Sequence, residues 1–165
     1  MNLNQELRNA KSFGEIFEIV KKVVYHYCEK DQAGLMLGIC DLGSEENQFI
    51  GAFYVMQGNM IVINKRPLQK IMHTNHALYN AYVFHVLLHE YIHSLGIVDE
   101  MACREITHYL SSKYFGANHT VTQLAENIGK FMPQLVYPDQ GYTAPEDMHI
   151  EFVCGFDRAN TNYIM

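Results

Sequence analysis

His89, Glu90 and His93 are the residues whose types and spacing most directly point to chemistry. They open the run HEYIHSLGIVD, from His89 to Asp99. On a helix, side chains four apart lie one turn above each other on one face. Two imidazoles at that spacing reach a single metal ion. Glu90 turns toward the same place without competing for the metal. A carboxylate so placed takes a proton from a metal-bound water and passes it on.

The element that must position these groups is legible independently of them. Residues 81–95, AYVFHVLLHEYIHSL, contain no Gly or Pro. Val83, Leu87, Leu88, Tyr91, Ile92 and Leu95 form an apolar face beside the histidine stripe. Thr74 or Asn75 is placed to cap the helix, and Gly96 is its expected stop. His85 extends the stripe by one turn. It lies about 12 Å of helix rise from His93, too far for both to bind one zinc. His85 is therefore read as a buried or supporting residue.

A catalytic zinc takes a third protein ligand and keeps an open position. Gly96 can adopt a left-handed conformation that reverses the chain and swings Asp99 under the metal. The string H-E-x-x-H-x-x-G-x-x-D resembles the metzincin signature, with Asp99 where that family usually has a third His. The expected Met-turn is missing: Met132 ends a predicted helix and Met148 falls in a predicted strand. The same region also resembles gluzincins, in which the third ligand sits on the following helix. There Glu100 and Glu105 are candidates, but the gluzincin pattern is met only by Asp99 and Ala102. The expected metal set is His89, His93 and Asp99, with Glu100 as the alternative. The competing structural role for Asp99 is to cap the helix that starts there.

At 165 residues the chain is expected to form one domain, 1–165, with room for a proper core. Apolar residues make up 48% and charged ones 18%, a globular composition. The net charge of −6 argues against nucleic acid as a partner. No apolar run approaches a membrane span, and the polar start lacks a signal-peptide core. Cys28, Cys40, Cys103 and Cys154 form no C-x-x-C pair. That suggests reduced thiols and a cytoplasmic protein.

Ser12 to Glu15 reads as a capping box, and Ile16 to Tyr27 as an amphipathic helix. Strands are expected at 34–41, 49–57 and 60–64, arranged as a meander, with a hairpin turn at Gly58-Asn59. A short helix follows, with Pro67 in its first turn and its end near His73. Further helices are expected over 99–115 and 120–131, then a loop at 136–147 and a last strand at 148–155. The fold class is α+β, with a small antiparallel or mixed sheet of three or four strands packed on helices. The order is similar to the minimal core of zincin metallopeptidases. That resemblance makes 60–64, MIVIN, the exposed edge along which a peptide would add as a strand.

The expected function is therefore a zinc-dependent peptidase acting on peptides or proteins, with Zn2+ as cofactor and Glu90 as general base. Tyr109, His108 and Tyr142 are candidate oxyanion donors. An rRNA-processing type of metal-dependent endoribonuclease shares the histidine spacing but lacks the Glu. A non-catalytic, zinc-stabilised binding module is the third reading, with His149 or Cys154 closing the metal's fourth position.

Overall fold

A computed structural model describes residues 2–43, 49–136 and 148–157. Among these the chain is α+β, with six helices and a small mixed four-stranded sheet. The helices are α1 (Leu3–Asn9), α2 (Phe13–Cys28), α3 (Lys65–Thr74), α4 (His76–Ser94), α5 (Glu100–Phe115) and α6 (Thr120–Glu126). The strands are β1 (Met36–Cys40), β2 (Phe49–Ile50), β3 (Ala52–Val55), β4 (Met60–Asn64), β5 (Leu135–Val136) and β6 (Glu151–Phe152). No described helix is long and apolar enough to cross a membrane.

The core is built around α4. Every residue from Asn80 to Ile92 is buried, so this helix is enclosed on all sides rather than along one stripe. It packs against α2, α3, α5, α6 and β3. Asn75 caps it by accepting from Leu78 N–H. Of the two expected caps, Thr74 and Asn75, it is therefore Asn75 that starts the helix, and His76 to Asn80 form its first turns. The predicted 120–131 helix is shorter: α6 ends at Glu126, and a 3-10 turn follows at Ile128–Lys130. His119 caps α6. α1 had no forerunner in the sequence reading.

The sheet is not a meander. Its order is β3-β4-β1-β6, with β1 and β4 parallel and the outer pairs antiparallel. β4, the MIVIN segment, is therefore an interior strand, and β3 lies at one edge, with β6 at the other. Composition explains the exchange. Ile61, Val62, Ile63 and Asn64 are all buried, as suits a strand covered on both faces. Three of the four β3 positions are only half-buried. The expected strand at 49–57 is broken at Gly51, where a Cβ would lie 2.9 Å from the Tyr82 hydroxyl on α4. β2, before the break, pairs instead with β5. The last strand keeps only Glu151 and Phe152 of the eight residues expected. The loop predicted at 136–147 lies outside the described residues except for Val136.

Asn64 fixes the passage from β4 into α3. Its Oδ1 accepts from Leu42 N–H and Arg66 N–H, both at 3.2 Å, and its Nδ2 donates to Ile50 O at 2.8 Å. The side chain is fully buried. Asn64→Ala should destabilise the fold by about 2–4 kcal/mol, because buried backbone groups lose their partners. Urea denaturation of the two proteins measures this as a lower midpoint at similar slope.

Candidate metal centre

The two imidazoles of α4 stand as the motif spacing requires. His89 and His93 have ring centroids 4.9 Å apart, and both are largely buried. His93 is oriented from behind: its Nδ1 lies 2.7 Å from the Ile97 carbonyl. Nδ1–H donation to that carbonyl leaves Nε2 to face the centre. The contact depends on the turn after α4. Gly96 has φ +104°, which brings Ile97 back over the last turn of the helix.

The turn delivers Glu100, not Asp99. Asp99 is the N-cap of α5, and its exposed carboxylate accepts from Ala102 N–H at 2.8 Å. A cap carboxylate held on its own helix is directed at backbone, not at the imidazoles. Glu100, the first residue of α5, reaches both rings. Its Oε1 lies 2.6 Å from His89 Nε2 and its Oε2 lies 3.0 Å from His93 Nε2. The chain reversal expected at Gly96 is present, but it places the neighbour of the residue expected to benefit. Glu105 is exposed.

Cys103, one turn further along α5, was not read as part of the site. It is fully buried, and its Sγ donates to the His89 carbonyl at 3.1 Å. The ligating atoms of His89, His93 and Cys103 all lie within 4.8 Å of one another, a group that could hold a metal ion. The sequence signal was the i, i+3 spacing from Glu100, which puts both side chains on one helix face. The structure therefore gathers two imidazoles, a carboxylate and a thiol, a donor set suited to a borderline divalent cation.

Other candidates sit elsewhere. His85 is buried, with its ring 6.4 Å from that of His89, and its Nδ1 has no hydrogen-bond partner among the described residues. Burial, and then the charge of His89, lower its pKa to about 3. Tyr109 is exposed against Tyr27, and His108 lines a separate cavity with Arg104. Tyr142 lies outside the described residues. His149 is exposed beside Cys40, and Cys154 borders a cavity near Gly14. None of the four cysteines is in a disulfide.

A cavity of about 170 Å3 opens onto the centre. Phe53, Tyr54 and Met56 line it from the edge-strand side, and Glu90, His93 and Glu100 from the helices, with exposed Val98 beside them. Glu90 is buried between this cavity and a second of about 20 Å3 that touches His85 and His89. Burial pushes its carboxyl above the usual range, against the lowering influence of His89 and His93. The imidazoles and the Glu100 carboxylate move in opposite senses. Burial opposes charge on the imidazoles, but contacts with Cys103 and Glu100 raise His89 to about 10 and His93 to about 11. Burial works against Glu100 too, yet the two imidazoles hold it down at about 2.

These shifts set the behaviour of the metal-free protein. Raised imidazole pKa values contribute stability that is complete below about 6.5 and fades as pH rises toward 10 or 11. The depressed Glu100 contributes stability that is present above about 4.5 and fades as pH falls toward 2. Chelator-treated protein should therefore lose melting temperature between pH 6.5 and 9, and Glu100→Gln should flatten that slope. In metal titrations, Glu100→Gln should weaken binding strongly. Asp99→Ala should leave binding nearly intact while costing about 1 kcal/mol of fold stability through the lost cap. Equal effects of the two variants on binding would contradict the geometry. In comparisons with known proteins, the chain matches no family model, no curated protein and no solved structure.

Proposed function

We propose that this protein is a zinc-dependent peptidase whose metal ligands include His89, His93 and Glu100, with Glu90 as its general base. The observation that carries this reading is that Glu90, His93 and Glu100 face one cavity whose opposite wall is the edge strand of the sheet. A base and a ligand set sharing a cavity beside a sheet edge suit hydrolysis of an extended chain. Two imidazoles with a carboxylate are a common catalytic zinc set.

β3 takes the role expected of β4. Asn64 N–H donates to Gly51 O, and the pairing runs on through Ala52↔Ile63 and Phe53↔Val62. In an antiparallel ladder the peptide groups alternate in direction. Those of Gly51, Phe53 and Val55 face β4, and those of Ala52 and Tyr54 face outward. An extended peptide laid along this side would pass the centre with its backbone aligned by strand addition.

A bound zinc supplies Lewis acidity, which polarises a carbonyl and acidifies water. The chain's own residues do the rest. His93 is held in orientation by the Ile97 carbonyl. Glu90, which faces the same cavity as His93 and Glu100, is the residue placed to accept a proton and return it to a leaving amine, and burial raises its carboxyl above the usual range. An endoribonuclease reading gives no role to Glu90, and the acidic chain does not favour a phosphate backbone.

Glu90→Gln should retain stoichiometric zinc and lower the rate on unstructured peptides by about 10²–10⁴-fold, the usual contribution of a positioned base. A panel of fluorogenic peptides, read alongside metal analysis, is the test. Full activity in this variant would remove Glu90 from the chemistry. Loss of zinc with rate would make it a ligand.

A further inference from the structure

Glu100 and Cys103 occupy successive turns of one face of α5, and both are directed at the imidazoles of α4. We infer that the Cys103 sulfur is a fourth protein donor to the metal held by His89, His93 and Glu100, so that the resting centre is closed by sulfur. This rests on the proposed metal site and adds to it a ligand and a resting state.

Three observations carry it. The first is distance. Three atoms no more than 4.8 Å apart share a centre within about 2.8 Å of each, a small inward adjustment from zinc bond lengths of about 2.0–2.3 Å. The second is burial. Cys103 is fully enclosed, so its sulfur is held at the centre rather than free to turn to solvent. The third is a direction shared with Glu100. The carboxylate lies within hydrogen-bond reach of both Nε2 atoms from the preceding turn of the same helix, so sulfur and carboxylate approach the same imidazoles from one element. The bland alternative is that Cys103 is only a small residue allowing α5 to approach α4, its thiol satisfied by the His89 carbonyl. The two differ in one property: only a ligand sulfur perturbs the electronic spectrum of the metal.

A four-coordinate centre of two His, one Glu and one Cys has every position filled by protein, as structural zinc sites do. The hydrolytic form would then be the one in which a water takes the place of sulfur and gives it a proton, so that Cys103 returns as a thiol to the His89 carbonyl it already reaches, and the 170 Å3 cavity beside Glu90 is where a substrate would meet the centre. Sulfur ligation also biases the site toward zinc over harder cations such as magnesium or manganese.

The test is cobalt substitution of the full chain after zinc removal, followed by absorption spectroscopy. The expected result is one bound cobalt with visible d–d bands and, in addition, a near-ultraviolet sulfur-to-cobalt charge-transfer band. Cys103→Ser should lose the charge-transfer band and keep bound cobalt. Bound cobalt with d–d bands but no charge-transfer band in the unaltered protein overturns the sulfur ligand and leaves the proposed peptidase centre standing. Persistence of the band in Cys103→Ser also overturns it, since the sulfur would belong to another cysteine. Failure of the unaltered protein to take up cobalt or zinc overturns both readings. Because the decisive spectrum is that of the unaltered protein, the inference stays testable even if the variant folds poorly.

Discussion

The structure depends on a helix that has no solvent face over most of its length. From Asn80 to Ile92 every side chain of α4 is buried, so each neighbouring element is required to cover it. α2, α3, α5, α6 and β3 all do so. A helix in that position is locked against rotation, because turning it would move every contact at once. His89, Glu90 and His93 inherit this rigidity. Their polar atoms sit in a setting where charge is costly unless matched, and the match comes from α5. The Glu100 carboxylate between the two imidazoles joins the core helix to its neighbour at the proposed metal site.

Much of this was legible, because helix signals are local. The absence of Gly and Pro, the histidine spacing and the stop at Gly96 located α4 and its polar stripe without reference to the rest of the chain. Asp99 shows what spacing alone leaves open. Spacing alone favoured it, since it completed a known pattern. The helix beginning one residue later gave its carboxylate a different use, as a cap bonded to Ala102 N–H. A residue with a strong local hydrogen-bonding alternative is a poor ligand candidate, and its neighbour at the first helical position is a better one. The competition between cap and ligand was visible in the sequence; its outcome required the direction in which α5 leaves the turn.

Sheet topology was much less legible, because it rests on contacts distant in sequence. Three strands in succession suggested a meander, yet β4 lies between β3 and β1. The composition of MIVIN held the clue. An almost unbroken apolar run belongs in the middle of a sheet, while AFYV, set off by Gly51 and half-exposed, belongs at its margin. β5 and β6 were beyond reach for a different reason. With two residues each, they have too few positions to show any alternation, and only their partners define them.

The combination of a deeply buried helix and a cavity open at one sheet edge has a consequence for how the centre can vary. The imidazoles on α4 are fixed by packing, so the adaptable part lies on α5 and on the five-residue turn, 95–99, that leads to it. Gly96 and Ile97 set where α5 begins, and the start of α5 decides which side chains face the imidazoles. Advancing that start by one residue would rotate Glu100 away by roughly 100° and take Cys103 with it. Carboxylate and sulfur are therefore placed as a unit by a turn conformation, whereas the imidazoles are placed by the core. Metal affinity at the proposed site would depend on the turn as much as on the donors, since the fold's stability secures only one half of the set.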